Sequence, residues 1–328
     1  MLRVGMIGAG WVTQHHLVSW RGEQRRAKVV AIADPMVHRA QERAREFDIA
    51  RTFADAETLL ANVDVDAIDV ATPRGAHVEP VLLAAERGIP VLCQKPIAPT
   101  LAEAEKLVLQ VGQRTRLMIH ENWRFRRYYR EARRWLDDGV AGDIKQARMT
   151  LLSSGLVPDA AGKCPALERQ PFLRTLDRML VMEVLIHHLD TLRFLLGPLT
   201  IDAARIGQIS PELIGEDHAM IMLKTAKDAP VLLLGNMAAH GHPTVFVDRM
   251  ELLGDRGTIA LSDGRLTAAG HFERDEQFDL AACYQGSYDA AIGHFIDALV
   301  SDAPFETDAH DNLETIRLAE RIYALNGR

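Results

Sequence analysis

From Leu2 to about Asn122 the chain alternates short apolar runs with segments of helical spacing, and this alternation constrains the fold more than any other feature. The runs are LRVGMIG, KVVAIADP, DAIDVATP, PVLCQKP and LMIHEN. Four of them are continuous rather than alternating, as expected of strands covered on both faces. Between them lie stretches such as residues 77–88 and 101–112, with apolar residues at helical spacing and a closing glycine. Strand and helix repeated this regularly predict an α/β domain built on a doubly wound parallel sheet.

After Asn122 the texture changes. A charged helix over 127–139 leads to the strand IKQARMTLLSS, and a loop over 155–176 is rich in Pro, Gly and charge. A long apolar helix over 179–196 ends at Gly197-Pro198. The runs TIDAARIG, HAMIMLK, VLLLGNMAA, VDRMELLG and GTIALS follow without intervening helices, which predicts an α+β domain with a mostly antiparallel open sheet. Helices close the chain over 288–300 and 312–325. The expected division is one domain over 1–122 and a second over 123–328, with the final helices able to pack back on the first. A length of 328 residues suits two cores better than one.

A formal charge of −7 and the lack of a lysine-rich tail argue against nucleic acid as a partner. Cys93, Cys164 and Cys283 are odd in number and far apart, which fits neither a disulfide framework nor a CxxC metal site. No apolar stretch reaches the roughly 18 residues of a membrane span. The opening residues are broken by glycines and do not read as a leader. A soluble cytoplasmic protein with no membrane partner is the expectation.

The first strand runs into Gly8-Ala9-Gly10-Trp11-Val12-Thr13 at an apparent helix start. Gly8 permits a tight turn, Gly10 lets a pyrophosphate approach the backbone, and the helix start supplies N–H groups. Thr13 replaces the third glycine of the usual pattern, so looser packing of helix on strand is expected there. Asp34 ends the second strand at the distance expected of a ribose-binding carboxylate, and no arginine follows to hold a 2′-phosphate. These features predict a Rossmann domain that binds NAD rather than NADP.

Cys93-Gln94-Lys95-Pro96 ends the strand PVLCQKP, where a lysine would face the nicotinamide crevice and the proline would fix the backbone, with a cis peptide open to it. At this point the chain resembles the Gfo/Idh/MocA family of sugar and polyol dehydrogenases, whose motif here is EKP. Gln94 departs from it and removes a negative charge beside Lys95. The resemblance extends through Thr72-Pro73 with His77, Glu86-Arg87-Gly88, His120–Phe125, Glu251–Ile259 and Asn312–Tyr323. Glu183-x-x-x-His187-x-x-Asp190 resembles the family pattern DxGxHxxD, with Glu183 for Asp and Leu185 for Gly. On a regular helix these three side chains share one face.

The resemblance implies that His187 is the acid/base, that Lys95 hydrogen-bonds the reacting oxygen, and that Glu183 belongs to the catalytic group. It implies cofactor contacts from Gly8, Gly10, Trp11, Val12, Asp34, Thr72, Pro73, His77, Gln94, Lys95 and Asn122. Substrate contacts are expected from Glu121, Arg124, Glu183, His187 and His240. The runs CQKP, HENWRF and EVLIHHLDTLRFLLGP most resemble the D-apiose dehydrogenase group, which implies a furanose aldose oxidised at its anomeric carbon to a lactone and then an aldonate. An inositol or polyol substrate, a non-catalytic NAD-binding regulator and an NAD-dependent glycosidase stay open as alternatives. The family also implies a homodimer or homotetramer formed through the second sheet.

Competing readings of the same residues are simpler. His187 and His188 on an apolar helix also suit core histidines. His240 and His242, at i and i+2 on an expected strand end, would share a side; a metal there, or at Glu183, His187 and Asp190, lacks further ligands, so no metal is expected. Arg124–Trp135 reads as a solvated helix face, with Arg124 itself near the domain crossing.

Overall fold

The computed structural model describes residues 1–328 and divides into two compact units, Met1–Phe125 with Tyr284–Ile316, and Arg126–Cys283 with Arg317–Arg328. The boundary falls after Phe125 rather than after Asn122, because Phe125 is buried in the first unit's core.

In chain order the first unit holds β1 (Leu2–Ile7), α1 (Thr13–Gly22), β2 (Ala27–Ala33), α2 (Val37–Phe47), β3 (Arg51–Phe53), α3 (Ala56–Asn62), β4 (Ala67–Val70), α4 (Val78–Glu86), β5 (Val91–Gln94), α5 (Leu101–Val111) and β6 (Leu117–His120). All six strands pair in parallel in the order β3-β2-β1-β4-β5-β6. Every residue of β4, β5 and β6 is buried, which is why these strands read as unbroken apolar runs. The order reverses between β1 and β4, so the carboxyl ends of those strands open a crevice.

The exposed edge of β6 is covered from far along the chain. Ile119 N–H donates to the Thr307 carbonyl at 2.7 Å, and the Thr307 hydroxyl donates to the Ile119 carbonyl at 2.6 Å. Residues near 307 thus mimic a further strand and remove an open edge. Trp20 and Phe295 pack edge to face with centroids 6.3 Å apart, so residues 284–316 share the first unit's core.

The second unit begins with α6 (Arg127–Asp137), β7 (Ile144–Leu152) and α7 (Pro165–Arg169). After α8 (Ile186–Leu196) come β8 (Leu199–Gly207), β9 (His218–Thr225), β10 (Pro230–Asn236), β11 (Val247–Gly254), β12 (Gly257–Ser262), β13 (Arg265–Gly270) and β14 (Arg274–Gln277). The chain closes with α9 (Leu280–Ser301) and α10 (Ala309–Leu325). The sheet order is β14-β13-β12-β11-β7-β10-β9-β8, antiparallel except where β10 runs parallel to β7. In β9, Ala219, Ile221 and Leu223 are buried, whereas Met220 and Met222 on the other face are each 55% exposed. One face is core and one is open.

Two expectations are corrected in this unit. Residues 124–135 are a solvated face only in part: Arg127 and Arg134 are exposed, but Tyr128, Tyr129, Ala132 and Trp135 of α6 are buried, as are Arg124 and Arg126. The helix expected over 179–196 is not uniform: Leu180–Leu185 winds as a π-helix before α8 begins. Long-range partners take up its first amide groups. Leu180 N–H donates to the Glu216 carbonyl at 3.1 Å, Val181 N–H to Glu216 Oε1 at 3.0 Å, and Met182 N–H to the Tyr323 hydroxyl at 3.2 Å. Gly235 of β10 lets this wide turn approach the sheet, since a Cβ there would lie 2.9 Å from Leu185 Cδ1.

Candidate active site

In the first unit the nucleotide end is built at the tip of β1. Gly8 has φ +102°, and a Cβ there would sit 2.7 Å from the Ala71 carbonyl oxygen, so glycine is required both by conformation and by the neighbouring β4 tip. At Gly10 a Cβ would meet nothing within 4 Å, leaving the backbone open to a ligand. Helix α1 starts after Val12 with no side-chain cap and no acidic residue in its first turn, and Trp11 is half exposed beside it. An uncapped helix start beside a glycine turn offers N–H groups to an anion. Thr13, in the third-glycine position, is fully buried and donates to the Gly8 carbonyl at 3.1 Å, so its hydroxyl closes the turn.

Asp34 follows β2. Its Oδ2 accepts from Ala9 N–H and its Oδ1 from Met36 N–H, both at 2.8 Å. These bonds hold the carboxylate against the glycine turn, and each oxygen keeps a second lone pair for a ribose hydroxyl. Glycine turn, uncapped helix and fixed carboxylate together fit NAD.

The next two strand tips are tied together. His77 is fully buried, with Nδ1 2.9 Å from the Pro96 carbonyl and Nε2 2.8 Å from the Thr72 carbonyl. It therefore braces the β4 tip against the β5 tip. Pro73 is exposed on the same turn, and Thr72 is partly so. The Lys95–Pro96 peptide is cis, and Lys95 is half-buried.

Gln94 sits in a buried polar cluster that the sequence did not single out. Its Oε1 accepts from Lys95 N–H at 3.0 Å, and its Nε2 lies 2.9 Å from His16 Nε2 and 3.3 Å from His120 Nδ1. His16 Nδ1 meets Asp69 Oδ2 at 2.8 Å, an oxygen that also accepts from Trp20 Nε1 at 2.7 Å. Burial, aided by Asp69, pushes the Cys93 thiol well up, so Cys93 is no nucleophile. The signal for this cluster was a charged residue, Asp69, inside an otherwise apolar strand.

Two residues expected at the cofactor or substrate have partners inside this unit. Asn122 Nδ2 donates to Ser287 Oγ at 2.7 Å. Arg124 donates to Asp311 Oδ2 at 2.8 Å and to the Glu306 carbonyl at 3.2 Å, so it anchors the segment covering the β6 edge. Glu121 is fully buried.

In the second unit, Glu183 lies in the π-helical turn and His187 in the first turn of α8. Regular α-helical spacing therefore does not run from Glu183 to His187. Glu183 is the only residue from Val181 to Asp190 that is not buried, and His187 retains 6% exposure. A π-turn re-aims side chains that a regular helix would stack, a device frequent at functional sites. The His187 carbonyl accepts from the Thr191 hydroxyl at 2.8 Å.

His188, next in the chain, faces the core. Its Nε2 lies 2.8 Å from Asp248 Oδ1, while Asp248 Oδ2 accepts from Arg126 Nη1 at 2.9 Å and from the Tyr128 hydroxyl at 3.2 Å. Burial pushes the Asp248 carboxyl up, but His188 and Arg126 outweigh it and hold it well below the usual carboxylate range. So of the two adjacent histidines, His188 is the core histidine. His240 is exposed in a turn after β10, and Gly241 at φ +81° breaks the extended spacing assumed for His240 and His242. Their rings are not set side by side by strand geometry.

Known proteins share this organisation. Residues 2–121 match the oxidoreductase family model with an NAD-binding Rossmann fold, and residues 129–260 match the GFO/IDH/MocA C-terminal domain. The chain is 30% identical to a D-apiose dehydrogenase of Paraburkholderia graminis, over 97% of this chain and 86% of that protein. It is also 30% identical to a D-apiose dehydrogenase of Rhizobium rhizogenes, over 100% of this chain and 96% of that one. A crystal structure of an oxidoreductase from Agrobacterium radiobacter in complex with NAD+, L-tartaric acid and magnesium superposes with a TM-score of 0.91 at 29% identity, covering 100% of this chain and 97% of that one. The chain is an NAD-binding oxidoreductase of the Gfo/Idh/MocA family.

Proposed function

We propose that the protein is an NAD-dependent dehydrogenase that oxidises an aldose, D-apiose being the first candidate, at its anomeric hydroxyl to a lactone that water opens to an aldonate. The observation that carries this reading is that a chain alike over nearly its whole length to two D-apiose dehydrogenases has a built NAD cradle, a lysine at the β5 tip and a histidine, 6% exposed, just after a π-turn.

In this reading the bound cofactor supplies the hydride-accepting nicotinamide carbon. His187 takes the proton of the substrate hydroxyl. Lys95 donates a hydrogen bond to the same oxygen and stabilises it as it gains alkoxide character. Glu183 contacts a neighbouring hydroxyl, and His240 contributes a second polar contact. Gly10, Trp11 and Val12 bind the pyrophosphate and Asp34 the adenosine ribose.

The test is NADH formation, followed by absorbance, across a panel of D-apiose, other aldoses and inositols, with hydroxylamine trapping of a lactone. Fastest turnover on an inositol would make the protein a polyol dehydrogenase instead. A regulator gives no NADH with any sugar, and a glycosidase releases sugar from a glycoside without net NADH. Lys95→Ala is expected to lower kcat by about 100-fold or more while leaving NAD binding largely intact. Activity within a few-fold of wild type refutes Lys95 as a catalytic residue. We also propose a cytoplasmic homodimer or homotetramer joined through the open face of the second sheet. The three cysteines are free and buried, in keeping with a reducing compartment.

A further inference from the structure

We propose that Gln94 is a positioning residue that locks two buried imidazoles behind the β5 tip into fixed neutral tautomers, His16 protonated on Nδ1 and His120 protonated on Nε2. The inference rests on the proposed role of Lys95, whose backbone Gln94 holds.

The orientation of the Gln94 amide is decided by a group that can only donate. Lys95 N–H lies 3.0 Å from one end of the amide, so that end must be the carbonyl oxygen. The other end is then the NH2, and its two hydrogens point at His16 Nε2, 2.9 Å away, and His120 Nδ1, 3.3 Å away. Both ring nitrogens must present lone pairs. A neutral imidazole with a lone pair on one nitrogen carries its proton on the other.

For His16 that proton sits on Nδ1 and donates to Asp69 Oδ2 at 2.8 Å, an oxygen fixed further by Trp20 Nε1. A protonated His16 would set an N–H against the amide NH2, and so would the opposite tautomer with a protonated Asp69. For His120 the proton sits on Nε2. The rings of His16 and His120 lie 4.2 Å apart between centroids, and Tyr288 packs against both. Gln94, His16, Asp69 and His120 are all at most 7% exposed, so water cannot stand in for a missing partner. Gln94 meets His16 from α1 and His120 from β6 directly; Asp69 from β4 and Tyr288 from α9 meet those rings, and Cys93 and Lys95 flank Gln94 in the chain.

A carboxylate at position 94 would reverse this logic. Gln94→Glu keeps the shape and can still accept from Lys95 N–H, but it turns acceptor lone pairs toward the two imidazoles. One of them must then gain a proton on the nitrogen that faces it. For His16 that proton comes from solvent and gives an imidazolium between two carboxylates, whereas for His120 the Nε2–H bond can break as Nδ1–H forms, with no net proton taken up.

The experiment uses the full chain labelled with 15N-histidine. Long-range 15N–1H spectra assign each ring nitrogen as protonated or bare, with His16→Asn and His120→Asn identifying the signals. At neutral pH the wild type is expected to show His16 protonated on Nδ1 alone and His120 on Nε2 alone. A proton on His16 Nε2 or on His120 Nδ1 overturns the proposal, whether or not Gln94→Glu folds. In Gln94→Glu at least one ring should gain a proton on its Gln94-facing nitrogen, and the pH profile of kcat should acquire an ionisation that wild type lacks. Unchanged ring signals, or a kcat profile that overlays wild type, would remove the positioning role. Turnover surviving in Lys95→Ala would instead defeat the catalytic reading of Lys95, with the wild-type histidine signals as they were.

Discussion

Asp34 is a small group with several duties. Two backbone N–H bonds hold it, and its remaining lone pairs face the nucleotide end. Asp34→Asn loses the charge and one acceptor. We expect the Kd for NAD to rise about 10- to 100-fold, the loss of one charged hydrogen bond, while binding of NADP improves relative to NAD. Calorimetric titration with both nucleotides checks this, and an unchanged ratio of the two would take Asp34 away from the ribose. Asp248 is the corresponding anchor in the second unit. Its depressed ionisation means that its stabilisation is complete above about pH 4, the ordinary carboxylate range, and is lost as pH falls through its lower folded value. Asp248→Asn should cost about 3–5 kcal/mol at neutral pH by leaving Arg126 buried without its counter-charge. Urea unfolding at neutral and strongly acid pH should show the gap from wild type narrowing in acid.

The helix that carries His187 owes its form to partners outside itself. Nothing from Leu180 to Leu185 caps the turn locally, and Glu216 and Tyr323 take its first amides. Tyr323 also donates to Glu216 Oε1 at 2.7 Å, so one hydroxyl serves both ends of the contact. Tyr323→Phe should destabilise the protein by about 1–3 kcal/mol, since Met182 N–H is left buried and unmatched. If the π-turn aims Glu183 and His187, the same variant lowers kcat more than it raises KM. Steady-state kinetics beside an unfolding curve separates the two effects, and an unchanged kcat would reduce the turn to a packing feature.

The second sheet leaves an apolar strip on its open face. Met220 and Met222 of β9 pair with Leu234 and Leu232 of β10, which are themselves only partly buried. Large apolar side chains side by side on one face suit the association we propose for this sheet. Replacing Met220 and Met222 together by lysine should lower the molar mass seen by light scattering while the thermal midpoint of the monomer stays near that of wild type. An unaltered mass would refute association through this face. No helix is long and apolar enough to cross a membrane.

Five of the six strands in the first sheet were legible as apolar runs, four of them continuous, because burial is a local constraint on side-chain type. β3 was not, being three residues long with an exposed arginine. Gly8, Gly10 and Asp34 were legible because a tight turn and a fixed carboxylate demand particular residues at a particular spacing. The π-turn was hidden, since its hydrogen bonds come from residues 35 and 141 positions away and leave no periodic trace. That His188 is held in the core was hidden for a like reason. Two adjacent histidines look the same in a chain, and it took Asp248, 60 residues on from His188, to claim one of them. Local patterns record what each segment must bury, whereas the direction of a polar side chain depends on which distant partner reaches it first.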